Sequence, residues 1–265
     1  VRRVALVTGA SAGIGAEFAR VFAANGFDLV LAARREDRLR TLAGELEQAH
    51  GIRAHVFRVD LAQPDAPARL CESLGRAHLT IDALVNNAGY GVSGSFTSVS
   101  WGRHAEFLQV LLVSWTELTY RLLPGMVERG YGRIINVASL AGLLPAPAGH
   151  TLYAATKAFM VRFSEALSSE CSGRGIYATA VCPGFTLSEF HDVTGTRAIV
   201  QNLPSWMWMD AATVARHGFD AVMAGRPVYV PGRINTAIAL LGRLLPHRVV
   251  YTLHRRASRS YRHTQ

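Results

Sequence analysis

The sequence predicts a single α/β domain, a doubly wound parallel sheet with helices on both faces. Three observations predict it. Short apolar runs alternate with longer amphipathic stretches along most of the chain. No internal repeat, low-complexity linker or break in composition divides the chain. A length of 265 residues, with 49% hydrophobic and 18% charged residues, suits one domain with a sizeable core and excludes wholesale disorder.

The elements follow in order. Val4–Val7 is the first strand-like run, and it is far too short for a signal peptide or a membrane span. Leu29–Ala32, Ala54–Val59, Ile81–Val85, Arg133–Val137, Tyr177–Cys182 and Val228–Val230 are the other strand-like runs. Helical periodicity fills the intervals near Gly15–Asn25, Arg35–His50, Ala66–Leu74, Trp101–Arg129, Tyr153–Ser172 and Ala211–Ala224. The catalytic domain is expected over residues 1–232, with 188–210 inserted between a strand and a helix to cover the substrate. Residues 233–265 are expected to form a tail, with one amphipathic helix over Thr236–Leu245 and then a basic end.

The first strand runs into Thr8-Gly9-Ala10-Ser11-Ala12-Gly13-Ile14-Gly15. A glycine-rich turn between a strand and a helix lets backbone approach a pyrophosphate, and the helix N-terminus favours the negative charge. A plain tight turn is the alternative. The second strand ends at neutral Ala33, followed by Arg34 and Arg35. An acidic residue there would suit the ribose 2′-hydroxyl of NAD; guanidinium groups suit the 2′-phosphate of NADP. The alternative is a helix start in solvent, and Glu36 and Asp37 are consistent with it.

The run ending Asn136-Val137-Ala138-Ser139 is followed by Tyr153-Ala154-Ala155-Thr156-Lys157. Spacing of four residues puts the phenol and the ammonium on one helical face. A nearby positive charge favours the phenolate, so such a tyrosine can exchange a proton near neutral pH. Lys157 is also the single lysine among 28 basic residues, all others being arginine. A position that needs a compact ammonium and not a planar fork would resist replacement by arginine.

Taken together and in order, Thr8–Gly15, Asp60-Leu61, Asn86-Asn87-Ala88-Gly89, Ser139, Tyr153-x-x-x-Lys157 and Pro183-Gly184 resemble the short-chain dehydrogenase/reductase family over nearly the whole chain. The resemblance implies a Rossmann-like domain with a seven-stranded sheet. It implies Tyr153 as general acid/base, Ser139 holding the substrate oxygen, and Lys157 binding the nicotinamide ribose and lowering the tyrosine pKa. The cofactor-binding set it implies is Gly9, Ser11, Gly13, Ile14, Gly15, Arg34, Arg35, Asp60, Leu61, Asn87, Ala88, Gly89, Tyr153, Lys157, Pro183, Gly184, Thr186 and Ser188. Asp60 would meet the adenine, Asn87 would border the cleft, and Thr186 and Ser188 would lie near the carboxamide and pyrophosphate. The long helices near Trp101–Arg129 and Tyr153–Ser172 resemble those the family uses to form homodimers and homotetramers.

Two departures stand out. The interval from Ser139 to Tyr153 is one residue longer than in close relatives. Counting back from Leu122-Leu123-Pro124-Gly125, the position of the family's fourth catalytic residue, an asparagine, falls on Leu111; Gln109 and Ser114 are the polar alternatives nearby.

The segment Ala198–Met209 carries no charge and is rich in tryptophan and methionine, which suits an adaptable apolar pocket or, alternatively, ordinary packing. The expected activity is hydride transfer between NADP(H) and a hydrophobic ketone or its secondary alcohol, a lipid β-keto ester being a narrower alternative. An NADP-binding sensor or scaffold with weakened catalysis is the reading from another class. Three cysteines without C-x-x-C spacing point to a reducing, cytoplasmic setting and to no metal site. Most of the net charge of +9 comes from the tail: eight arginines and no acidic residue follow Asp220. No nucleic-acid partner is expected. A weak contact of the basic tail with an anionic membrane surface is compatible with every reading, as is a merely solvated end.

Overall fold

The structure is a computed structural model and describes residues 2–92, 94–146, 148–189, 204–245, 248, 251 and 252. Seven parallel strands form the central sheet. They are β1 (Val4–Thr8), β2 (Asp28–Ala33), β3 (Ala54–Arg58), β4 (Ala83–Asn86), β5 (Gly132–Val137), β6 (Ile176–Val181) and β9 (Val228–Tyr229). Their order is β3-β2-β1-β4-β5-β6-β9. Each apolar run expected from the sequence is therefore a strand. Ala5, Leu6, Val7, Leu84 and Ile134 are fully buried, because helices cover both faces of the sheet.

The covering helices are α1 (Gly13–Ala24), α2 (Glu36–His50), α3 (Ala66–Arg76), α4 (Trp101–Leu108), α5 (Trp115–Glu128), α6 (Thr151–Glu170), α7 (Ala211–Met223) and α8 (Arg233–Leu244). One core cluster joins α1, α2 and α7 to one face through Phe18, Phe22, Leu39 and Phe219. Another joins α3, α5 and α6 to the other face through Leu70, Leu118 and Leu167.

Three features were not anticipated. The long helix expected over Trp101–Arg129 is interrupted by a π-helical turn, Gln109–Ser114. A single such turn inserts a residue and turns a carbonyl out of the regular ladder, a feature common at functional sites. The second is a small parallel pair beside the main sheet, β7 (Phe185–Leu187) with β8 (Trp208–Asp210). It closes the base of the segment expected to cover the substrate. Residues 190–203 of that segment, and with them Ala198 to Leu203 of the uncharged stretch, lie outside the described residues. The third is the extent of α8, which begins three residues before the expected start.

Candidate active site

The chain turns at the boundary between β1 and β4, because strands to one side run β1-β2-β3 and to the other β4-β5-β6. Loops leaving the two central strands part there and open a crevice at the carboxyl ends of the strands. Thr8 at the end of β1 knits its floor. Its hydroxyl donates to the Val85 carbonyl at 3.0 Å and accepts from the backbone N–H of Asn87 (3.0 Å) and Ala88 (3.2 Å). The Asn87 amide donates to the Thr8 carbonyl at 3.0 Å.

The turn above this floor fits a dinucleotide. Gly9 has φ +66°, and a Cβ there would lie 2.8 Å from the Asn87 amide nitrogen and 2.9 Å from Ala88 Cα. A Cβ on Gly15 would lie 2.4 Å from the Gly9 carbonyl oxygen. Both are closer than side chains tolerate, so the turn is compact only as glycine. No side chain caps the N-terminus of α1, which leaves its first N–H groups for a ligand. Ile14 packs against the core below. Opposite the turn, a Cβ on Gly13 would lie 3.0 Å from Ser188 Cβ, so the strand leaving β7 crosses close to it. Asp60 accepts from Ala62 N–H at 3.1 Å, the Leu61 carbonyl accepts from Ser114, and Gly89 faces Leu111.

The two arginines after β2 part company. Arg35 donates to Ser11 Oγ through Nε (3.2 Å) and Nη2 (3.1 Å), and through Nη1 to Glu189 at 2.8 Å. Arg38 meets the other oxygen of Glu189 at 2.5 Å. Hydrogen bonds from Arg38 and Arg35 hold the Glu189 carboxyl below its ordinary range. Arg34 is exposed and makes no hydrogen bond or ion pair with the described residues. Arg35 is thus committed to bracing the cleft edge, and Arg34 is not.

Ser139, Tyr153 and Lys157 converge across the crevice. Ser139 leaves β5 in extended conformation and caps a short 3₁₀ turn, accepting from Ala141 N–H at 3.2 Å. Leu140 N–H donates to the Pro183 carbonyl at 2.9 Å, which fastens this loop to Pro183-Gly184. Tyr153 lies in the first turn of α6, with its phenol beside the Ser139 side chain. Burial pushes its phenol up, and the Ser139 side chain opposes this only in part. Lys157 Nζ donates to the Val137 carbonyl at 2.6 Å and lies 5.8 Å from the centre of the Tyr153 ring. Burial brings the ammonium down to about 8. The lowering of the tyrosine expected from Lys157 does not act here: burial and the Ser139 side chain are what shift the phenol, and its direction is up.

Leu111 is 1% exposed and sits in the π-helical turn, in an apolar cluster against which Leu152 and Tyr153 pack. Its carbonyl accepts from the Trp115 indole N–H at 2.7 Å. Gln109 donates to Ser114 Oγ (3.0 Å), and Ser114 donates to the Leu61 carbonyl (2.7 Å), so both polar neighbours are occupied elsewhere.

Sequence reasoning missed the polar ladder behind the site. The Asn86 amide donates to Asn136 Oδ1 (2.8 Å) and Thr119 Oγ1 (3.1 Å), and Asn136 donates to Ser164 Oγ (2.8 Å). It ties β4 and β5 to α5 and α6 directly behind Ser139 and Tyr153. An asparagine within Ile134-Ile135-Asn136-Val137 was the visible signal. Glu189 was also missed, since nothing local announces a partner 154 residues away.

A cleft beside Tyr153 is lined mainly by apolar side chains, among them Val92, Phe96, Val99, Phe107 and Leu152. Of the uncharged segment, Trp208 lies against Phe185 with the two rings tilted at 48°, and Met209 packs on the core and touches Asn235.

The family profile for short chain dehydrogenase matches residues 3–197. Nodulation protein G from Rhizobium sp. (strain N33) is 35% identical over 245 residues, covering 90% of this chain and 98% of that protein. A very-long-chain 3-oxoacyl-CoA reductase from Laccaria bicolor is 34% identical over 200 residues, 74% of this chain and 58% of that protein. Among solved structures, a short-chain dehydrogenase from Sphingobium yanoikuyae in complex with NADPH superposes with a TM-score of 0.80. It is 31% identical and covers 92% of this chain and 96% of that one.

Proposed function

We propose that this chain, which belongs to the short-chain dehydrogenase family and is an oxidoreductase, uses NADP(H) to interconvert a hydrophobic ketone and its secondary alcohol. The observation that carries this reading is the buried Tyr153 phenol beside the Ser139 side chain, with Lys157 5.8 Å from the phenol ring.

The bound nicotinamide would supply or take up the hydride. Everything else falls to the chain. The Ser139 hydroxyl donates to the carbonyl oxygen and polarises it. The Tyr153 phenol, kept protonated by burial, gives its proton to that oxygen as negative charge develops on it. Lys157 holds the ribose and supplies positive charge beside the phenol as the proton leaves. Gly9, Gly13, Ile14 and Gly15 receive the pyrophosphate, with Thr186 and Ser188 opposite; Asp60, Leu61, Asn87, Ala88 and Gly89 form the adenine and ribose side, and Pro183-Gly184 closes the nicotinamide end.

Neutral Ala33 and exposed Arg34 support NADP over NAD, and the NADPH complex of a related dehydrogenase agrees. Arg34→Ala should weaken NADPH by roughly 1.5–3 kcal/mol, the range of a charge-assisted hydrogen bond, and leave NADH nearly unchanged. Fluorescence titration of both cofactors tests this; equal affinities in the parent would end the NADP assignment.

The apolar cleft beside Tyr153 supports a hydrophobic substrate, and the similarity to a 3-oxoacyl-CoA reductase keeps a lipid β-keto ester in view. Exposed Trp101 and Tyr120 on α4 and α5, and Phe159 on α6, support a homodimer or homotetramer through those helices. The sensor reading is weaker, because the catalytic hydroxyls are assembled and not merely retained.

Leu111 in the asparagine position removes a side-chain anchor for returning protons to Tyr153. Leu111→Asn should therefore quicken steady-state reduction without changing cofactor affinity. A buried, unpaired amide costs ~1–3 kcal/mol, so the melting temperature belongs in the same experiment. A folded variant with no gain in rate would mean either that the Leu111 carbonyl already serves, beside its bond to the Trp115 indole, or that the asparagine position lies elsewhere on this helix.

A further inference from the structure

Helix α8 presents two unlike faces. Asn235, Ile238, Ala239 and Gly242 turn inward. Asn235 donates to the Pro231 carbonyl at 2.9 Å, and a Cβ on Gly242 would lie 2.4 Å from Leu144, in the loop between Ser139 and Tyr153. The opposite face is apolar and uncovered. Leu244 is 78% exposed, Leu241 56%, Leu240 52% and Ile234 45%. At 100° per residue these four and Ala237 share one stripe. Arg233 borders its start, Arg243 its flank, and Arg248 follows beyond its end, all exposed.

A soluble protein rarely leaves such a stripe to water. The charge around it decides between occupants. A second copy docking face to face would set Arg233, Arg243 and Arg248 against their like, and the sequence offers no acidic residue after Asp220 to answer them. Exposed aromatic side chains for self-association lie elsewhere, on α4, α5 and α6. An apolar stripe flanked by arginine matches a bilayer interface, where leucines enter the acyl boundary and guanidinium groups meet phosphate. Among the described residues no helix is long and apolar enough to cross a membrane, so the contact is in the plane.

We propose that the outer face of α8 docks this chain on anionic lipid surfaces, with Leu240, Leu241 and Leu244 inserted and Arg233, Arg243 and Arg248 at the headgroups. Because α8 leans on Leu144, docking brings the loop between the catalytic serine and tyrosine toward the lipid.

Vesicle co-sedimentation tests this with phosphatidylcholine alone and with phosphatidylcholine containing phosphatidylglycerol, at low salt. The full chain should bind the anionic vesicles and not the neutral ones. A chain with Leu240→Ser, Leu241→Ser and Leu244→Ser should bind at least about tenfold more weakly, as should one with Arg243→Glu and Arg248→Glu, which leaves the stripe intact. A chain ending at Thr252 should still bind anionic vesicles, since the helix remains. Equal binding by the variants and the parent overturns the proposal, and so does loss of all binding on removing the tail alone. Sedimentation velocity covers the other occupant: if the triple-serine chain dissociates into smaller species, the face belongs to a second copy.

Discussion

Tyr153→Phe should reduce turnover to below about a hundredth of the parent, while NADPH still binds, because general acid–base catalysis contributes about 10²–10⁴-fold. The change removes one oxygen and keeps the ring. The ring packs against the cluster of Phe107, Val110 and Leu111, so the fold should not register the loss. The lost oxygen is the one beside the Ser139 side chain. Ser139 would then face the substrate oxygen alone, able to polarise it but with no acid beside it to neutralise the alkoxide. Stopped-flow measurement of hydride transfer, with fluorescence titration of NADPH, separates the two functions. A variant that kept more than about a tenth of parental turnover would remove Tyr153 as the acid.

Lys157→Arg should lower turnover by a similar factor, for a different reason. The ammonium is a compact donor fitted to the Val137 carbonyl at 2.6 Å, in a site where the residue is only 7% exposed. A planar guanidinium spreads its donors over a wider fork and cannot place one of them on the same carbonyl while leaving another for the ribose. It also keeps its charge whatever the surroundings, whereas burial has brought Lys157 down to about 8. The arginine chain should therefore bind NADPH more weakly as well as turn over slowly, and Lys157→Met should share the turnover defect. Near-parental rates with arginine would mean that charge alone, and not its placement, is what the tyrosine needs. That outcome would leave the rarity of lysine in this chain without a chemical reason.

What could be read in advance follows physical range. Each central strand is visible as a short apolar run because its signal is local. The glycine turn and the Tyr153–Lys157 pair are legible for the same reason: spacing of a few residues fixes their geometry. The β7–β8 pair is not, since Phe185–Leu187 and Trp208–Asp210 are three residues each and become strands only by meeting each other. The π-helical turn leaves no periodic trace, and Trp115, which bonds its freed carbonyl, reads simply as another apolar helical residue. The two arginines look equivalent in sequence. Only the fold shows that Arg35 is held by Ser11 and Glu189 while Arg34 makes no such contact among the described residues.

The glycine turn also constrains the history open to this chain. At Gly9 and Gly15 an added methyl group would strike Asn87, Ala88 or the turn's own backbone, and Asn87 in turn is bound to Thr8 at the end of the first strand. A mutation there disturbs the junction of the two central strands before it touches any ligand. Tyr153 is under no such restraint, since a phenylalanine fills the same space. A lineage released from selection for hydride transfer could therefore drift freely at the phenol while remaining barred from side chains at the turn. Its descendants would go on holding a dinucleotide long after they had ceased to react it. Loss of catalysis is a short walk from this sequence, and loss of the nucleotide cradle is a long one.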